Sequence, residues 1–190
     1  MPNSPSSPSN ALPGFGAPAV GFDTPFEMLE ACHERVLRSL ALLEKLCNYL
    51  HDHACDDSAR QAARDVLRYF DLAAPLNHED EELHVFPPLL AGPDTAVHAV
   101  VHKLIQDHRQ MEQAWALARS VLQGIVDADA STRFMLTPTQ TAHLDQFASL
   151  YGQHIQNEER TVYPAAKAAT TPVALQAMSQ DMMRRRGVQA

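Results

Sequence analysis

The sequence has little glycine and no long apolar run. Only seven of its 190 residues are glycine, whereas alanine and leucine are plentiful, and this composition favours helices. No apolar run is long enough to cross a bilayer, and the N-terminus lacks a basic segment followed by an apolar one. We therefore expect an all-α globular protein with neither a membrane segment nor a signal peptide.

Positive charge and paired cysteines are also scarce. The 15 Lys and Arg residues against 23 Asp and Glu give a formal net charge of −8, which argues against nucleic acid as the main partner. Cys32, Cys47 and Cys55 are odd in number and lack metal-ligand spacing, so the sequence favours a reducing, cytoplasmic setting over a disulfide framework. The ten histidines, by contrast, are numerous for this length.

Composition and periodicity divide the chain into three parts. Residues 1–23 are rich in Pro, Ser and Gly, and predict a disordered tail. Residues 24–165 contain four long amphipathic patterns with short connections, which predict an up-down-up-down four-helix bundle. Residues 166–190 predict an additional C-terminal helix that packs on the bundle.

Two helix starts carry the same signal. Thr24 and Thr137 each precede a proline, and Glu27 and Gln140 follow three positions after them. A threonine with Glu or Gln three residues later is typical of a capping box. We therefore predict that the first and fourth helices both begin with this device.

Two stretches repeat one polar pattern. Residues 78–82 read HEDEE and are followed by Phe-Pro, and residues 154–159 read HIQNEE and are followed by Tyr-Pro. Each contains His-x-x-x-Glu, as His78 with Glu82 and as His154 with Glu158, which places an imidazole and a carboxylate on one helix face. Such paired motifs on two helices are how four-helix bundles hold two metal ions.

The candidate ligands fall at one level of the predicted bundle. In antiparallel neighbours, residues at one level are equidistant from the connecting turn. His33 on the first helix and His108 on the third occupy positions in apolar stripes, and the midpoints between successive candidates lie near 55, 94 and 132, inside or beside the predicted connections. The predicted layer consists of His33, His78, Glu82, His108, His154 and Glu158.

A buried layer of this kind needs a common partner. Two carboxylates and four imidazoles among apolar residues would cost too much free energy unless something satisfies them together, and a divalent metal does so. Imidazole and carboxylate suit iron, with manganese or zinc possible. Six ligands fit two ions bridged by the carboxylates, with room for a small diatomic molecule.

Several alternatives stay open at this stage. Glu79, Asp80 and Glu81 are interpreted as a solvated acidic face, with Glu79 or Glu81 as a substitute or supporting ligand. Superposing the aromatic-Pro ends pairs Asn77 and Glu81 with His154 and Glu158, but Asn is a poor ligand, so we favour His78 and Glu82. The remaining histidines of interest are His53, close to the layer, and His98 with His102, an alternative pair on the third helix.

With these motifs the chain resembles the hemerythrin-like, His-His-Glu cation-binding family over about residues 24–165. The resemblance is carried by ACHERV around His33, NHEDEELHVFP, DHRQME around His108, and HIQNEERTVYP. The spacings resemble the bacterial branch that includes the iron-centre repair proteins, which takes one His each from helices 1 and 3. Oxygen-carrying hemerythrins instead show His-x-x-x-His on helix 3 and an Asp after the last His.

The resemblance implies a non-haem di-iron centre that binds or senses oxygen, nitric oxide or peroxide. A second hypothesis is an iron donor or di-iron enzyme that repairs damaged iron centres under nitrosative or oxidative stress. A third is a structural bundle without stoichiometric metal. Reversible oxygen carriage is disfavoured, because no matching Asp follows His154.

Overall fold

The computed structural model describes residues 21–129 and 134–188, so nearly all of the tail predicted for residues 1–23 lies outside the described residues. Within the described part, the chain forms helices and no strand, which confirms the all-α prediction. None of these helices is both long and apolar enough to span a membrane.

The bundle is built from four helical segments, two of which contain a π-helical turn. The first segment is α1 (Pro25–Asp52). The second consists of α2 (Asp57–Asp80), a first π turn (Glu81–Val85) and α3 (Phe86–Ala91), and the third is α4 (Thr95–Asp127). The fourth consists of α5 (Pro138–Ser149), α6 (Tyr151–Asn157), a second π turn (Glu158–Val162) and α7 (Tyr163–Ala169), and α8 (Pro172–Arg185) follows it.

The packing order is that of an antiparallel four-helix bundle. Helix α1 packs on α2, α2 on α4, and α4 on α5, while α5 also contacts α1 and closes the ring. Helix α8 packs outside the ring on α1 and α2. This arrangement confirms the predicted bundle with an additional C-terminal helix; the boundary at residue 165 stays a prediction.

The two predicted capping boxes have different outcomes. At Thr137 the box is present, because the side-chain oxygen accepts from the backbone N–H of Gln140 and the Gln140 side chain accepts from the N–H of Thr137. At Thr24 it is absent, and the hydroxyl donates instead to the carbonyl of Gly21 at 3.3 Å. The prediction for the first helix is therefore wrong in this detail, although α1 begins at Pro25 as expected.

A buried polar layer divides the apolar core into two clusters. One cluster fills the half of the bundle around Phe70, Leu122 and Phe147. The other contains Leu29, Leu104 and the two methionines that α8 contributes to the core. Along every segment of the bundle the change from one cluster to the other occurs at a predicted polar position, such as His33, which lies between Leu29 and Val36.

Helix α8 is fixed to the end of α2 by a buried ion-pair cluster. Asp80, the last residue of α2, is fully buried, and its carboxylate accepts from the guanidinium groups of Arg185 and Arg186. Asp181 of α8 binds His84 of the first π turn at 2.8 Å. The interpretation of Asp80 as part of a solvated acidic face is therefore wrong, because α8 covers it and neutralises its charge.

Candidate metal centre

Four helical segments bring buried imidazoles and carboxylates together at the middle of the bundle. His33 comes from α1, His108 from α4 and His154 from α6, and each is at most 3% exposed. The carboxylates are Glu158 and Glu81, which begin the two π turns and are fully buried. The predicted layer therefore exists, with Glu81 as a member that the sequence interpretation had left as an alternative.

Each carboxylate faces both sides of the layer. Nε2 of His33 lies 3.1 Å from Oε2 of Glu158 and 3.9 Å from Oε1 of Glu81. On the other side, Nε2 of His108 lies 3.3 Å from Oε2 of Glu81 and 3.8 Å from Oε1 of Glu158. Each glutamate thus presents one oxygen to each imidazole, which is the arrangement of carboxylates that bridge two cations.

Glu82 does not face the centre. Its Oε1 accepts from Nδ1–H of His108 at 2.9 Å, and its Oε2 accepts from Arg109 at 2.8 Å near the surface. The residue predicted as a ligand therefore holds the outer nitrogen of His108, while Glu81 faces the inner one. Glu159 has the same relation to His33, whose Nδ1–H donates to it at 3.0 Å. Such outer carboxylates fix the tautomer and orientation of metal-binding imidazoles.

Each π turn changes the helical register between a buried glutamate and the aromatic residue that follows it. In each turn the backbone N–H of the following aromatic residue bonds to the carbonyl five positions back, from Phe86 to Glu81 and from Tyr163 to Glu158. The extra residue lets both the glutamate and the aromatic residue face the core, which a regular α-helix would not allow. Superposing the aromatic-Pro ends was the sequence signal that pointed to Glu81.

Glu81 is held in place by two hydrogen bonds to one oxygen. The Asn77 amide donates to Oε1 at 2.6 Å, and the Tyr163 hydroxyl donates to the same atom at 2.5 Å. The Tyr163 oxygen also lies 3.1 Å from Nε2 of His33. No sequence pattern pointed to a role for Tyr163, and Asn77 was set aside as a poor ligand, yet both lie at the His33 side of the centre.

His78 occupies the opposite side of the centre. Its ring stacks on that of His108 with the centroids 4.0 Å apart, and it lies 6.0 Å from the ring of His154. His154 itself places Nε2 at 3.0 Å from Oε1 of Glu158 and Nδ1 at 3.6 Å from Asp107. Five of the six predicted residues are therefore adjacent, and their role as metal ligands stays a prediction.

Burial and the mutual charges of the layer shift its proton affinities. Burial would lower the pKa of His33, but the carboxylates of Glu158, Glu81 and Glu159 outweigh burial and raise this pKa to about 9. Burial also opposes protonation of His108, yet Glu158 and Glu81 raise its pKa to about 10. A cation bound at these nitrogens would have to displace protons.

The remaining shifts follow from the same environment. Burial lowers the pKa of His78, and the neighbouring His108 and His154 lower it further, so one ring nitrogen of His78 keeps a free lone pair. Burial and the Glu158 charge raise the pKa of Glu81. Burial acts in the same direction on Glu158, but the imidazoles, His154 first, outweigh it and lower that pKa.

The layer has the donors that a transition-metal ion needs. Among the described residues, one atom each from Glu81, His108, His154 and Glu158 lies within 4.8 Å of the others, and His78, His108 and His154 form a second such group. Buried atoms of this set have no hydrogen-bonding partner in the described chain, namely Oε2 of Glu81, Nε2 of His108, Nδ1 of His154 and both oxygens of Glu158. Because unsatisfied buried polar groups are costly, these atoms fit a site for metal.

A cavity of about 260 Å³ leads from the surface to His78. Phe70, Trp115 and Tyr151 line its inner part, and Glu82 and Arg109 stand at its rim. A further space, lined by both His33 and His78, lies within the layer itself. His78 therefore separates the outer cavity from the buried centre.

The other histidines considered lie away from the layer. His98 points its Nε2 at the carbonyls of Leu89 and Gly92, and His102 is exposed. His53 stacks on Tyr49 at the exposed end of α1. Of the three residues predicted to form a solvated acidic face, Glu79 does lie at the surface, where it forms an ion pair with Arg185.

Two comparisons show which known proteins this chain is similar to. The sequence profile of the hemerythrin HHE cation binding domain matches residues 24–166, which include every residue of the layer. The chain is also 28% identical over 168 residues to an uncharacterized protein of Haemophilus influenzae, and the match spans 88% of this chain and 92% of that protein.

Proposed function

Because this chain belongs to the hemerythrin HHE cation-binding domain family, we propose that it binds two non-haem iron ions and uses them to bind or sense a small diatomic molecule or oxidant. Oxygen, nitric oxide and peroxide are the ligands of this class. The ions would supply open coordination positions, and the protein would supply orientation and a dry cavity.

One observation carries the proposal. Glu81 and Glu158 lie between His33 on one side and His108 on the other, with one carboxylate oxygen directed to each imidazole. A single ion would use only part of this donor set, whereas two bridged ions would use both sides. His154 and the outer carboxylate Glu82 add to the side of His108.

The cavity that ends at His78 supports a small and uncharged ligand. Its inner part is apolar and aromatic, so water would be restricted next to the centre. At the rim, Glu79, Glu82 and Glu112 outnumber Arg109, and this negative balance would disfavour small anions.

The proposal is tested with untagged protein purified after expression with added iron. We expect about two iron atoms per chain, and we expect the anaerobically reduced protein to change its visible spectrum on exposure to oxygen or nitric oxide. His108→Ala should lose metal, and His102→Ala on the same helix is the control that should keep it. No metal in the wild-type protein would refute the proposal, and an unchanged spectrum with both gases would refute ligand binding.

Iron donation or repair of damaged iron centres under stress is the second candidate function. The same cavity supports it, because an opening that reaches His78 would also let an ion leave. We expect such a protein to work in the cytoplasm, where Cys32, Cys47 and Cys55, all free here, would stay reduced. Transfer of iron to an apo acceptor protein, measured after the two are separated, would favour this function.

A further inference from the structure

The centre is built from two similar halves. A shift of 77 residues relates the two π turns and their flanking positions, and a shift of 75 relates the imidazoles of α1 and α4. The matching pairs are Glu81 with Glu158, Glu82 with Glu159, Pro87 with Pro164, and His33 with His108.

The contacts between imidazoles and carboxylates show the same relation as the sequence. The inner contact is 3.1 Å from His33 to Glu158 and 3.3 Å from His108 to Glu81, and the longer contacts are 3.9 and 3.8 Å. The outer carboxylates Glu159 and Glu82 lie 3.0 and 2.9 Å from their imidazoles. The centre therefore offers two cation positions, one beside His33 and one beside His108.

Two positions that contact the buried centre differ between the halves in a way that matters for metal binding, and both differences lie on the side of His33. By the shift of 77 residues, Asn77 in one half corresponds to His154 in the other, and Phe86 corresponds to Tyr163. Asn77 donates a side-chain N–H to Glu81, and its buried side-chain carbonyl oxygen has no hydrogen-bonding partner among the described residues. That oxygen is the only side-chain atom of residue 77 left to bind a cation.

His78 does not supply the imidazole that Asn77 lacks on the side of His33. It is one residue further along α2, and its ring stacks on His108 rather than approaching His33. Both groups of converging ligand atoms in the described chain contain His108 and His154, and neither contains His33. The position at His108 thus has two or three imidazoles, whereas the position at His33 has one imidazole with oxygen donors.

We propose that the two metal positions are unequal, and that the first iron ion binds beside His108 and the second binds more weakly beside His33. This inference rests on the proposed function, since it presumes that metal binds in the layer. A neutral amide oxygen is a weaker donor than imidazole for Fe²⁺, and Glu81 would have to release the hydrogen bonds from Asn77 and Tyr163 to share Oε1 with an ion. We expect the second dissociation constant to exceed the first by about tenfold or more.

An anaerobic Fe²⁺ titration against a competing chelator tests this inference, with bound iron measured after desalting. The wild-type protein should bind two ions in separate steps. Asn77→His should lower the second dissociation constant and leave the first unchanged, and Asn77→Ala is the matched control that adds no imidazole. His33→Ala should abolish the second step alone, while His154→Ala should weaken the first.

The outcomes separate the two proposals. Two ions of equal affinity in the wild-type protein would overturn the inference and leave the proposed function standing, whereas no bound iron would refute the proposed function. Loss of both steps in His33→Ala, in a variant whose circular dichroism matches the wild type, would also overturn the inference. If Asn77→His fails to fold, the contrast between His33→Ala and His154→Ala still decides the question.

Discussion

Removing the two arginines that hold Asp80 should destabilise the bundle through one buried charge. The Asp80 carboxylate is fully buried, and its partners are Arg185 on one oxygen and Arg186, whose Nη2 lies 2.6 Å from Oδ2. Each arginine side chain is 14% exposed, so water replaces them poorly as partners. The double variant Arg185→Ala/Arg186→Ala would leave Asp80 without a counter-ion.

The loss in the free energy of unfolding depends on how many of its arginine partners Asp80 loses. Breaking a buried ion pair from one side costs about 3–5 kcal/mol, because the remaining charge stays buried and unpaired. A single variant keeps one arginine on Asp80 and so leaves no unpaired buried charge, and its cost should be about 1.5–3 kcal/mol. The free energy of unfolding, from urea denaturation followed by circular dichroism at pH 7, measures both.

Two further variants test whether the unpaired Asp80 charge causes the loss of stability. Arg184→Ala is the matched control, because that side chain is 79% exposed and pairs with Asp181 rather than Asp80, so its cost should stay below about 1 kcal/mol. Asp80→Asn in the double-variant background should recover part of the loss, since it removes the unpaired charge. A double variant within about 1 kcal/mol of the wild type, or no recovery with Asp80→Asn, would refute this account of Asp80.

Three other predictions concern separate features. Contacts from His84, Arg185 and Arg184 lower the pKa of Asp181 to about 2. The ionised carboxylate therefore stabilises the fold above the ordinary carboxyl pKa, and this contribution is lost as pH falls toward 2. In acid-unfolding curves, the stability difference between the wild type and Asp181→Asn should shrink over that range. Leu122→Ala, at a fully buried position, should cost about 2–5 kcal/mol in urea unfolding, and a smaller loss would mean that the core collapses around the cavity. Thr137→Ala should cost about 1 kcal/mol and Thr24→Ala much less, because only Thr137 caps its helix; equal losses in thermal unfolding would contradict this.

The sequence was sufficient to predict most of the fold because its signals are local. Apolar periodicity and the positions of the connections place His33, His108 and His154 at one level, and the structure brings them together. The arithmetic needs only that the helices are antiparallel and their connections short, and both conditions hold.

Regular helical periodicity could not decide between Glu81 and Glu82. It allows two pairs four residues apart, Asn77 with Glu81 and His78 with Glu82, and the second was favoured because Asn is a poor ligand. In the structure Glu81 is the buried glutamate, and Asn77 donates a hydrogen bond to it. The burial of Asp80 was missed for another reason: its partner Arg185 is 105 residues away, on a helix whose docking no local pattern reveals.

The paired placement of Glu81 and Glu158 has a consequence for chain entropy. The two residues are 77 positions apart and belong to the second and fourth helical segments. An ion between them would therefore act as a reversible cross-link that closes a long loop. A covalent link of this length would remove roughly 4.5 kcal/mol of conformational freedom from the unfolded chain. The lifetime of the protein against proteolysis would then depend on the supply of iron, because each chain without metal would unfold more often.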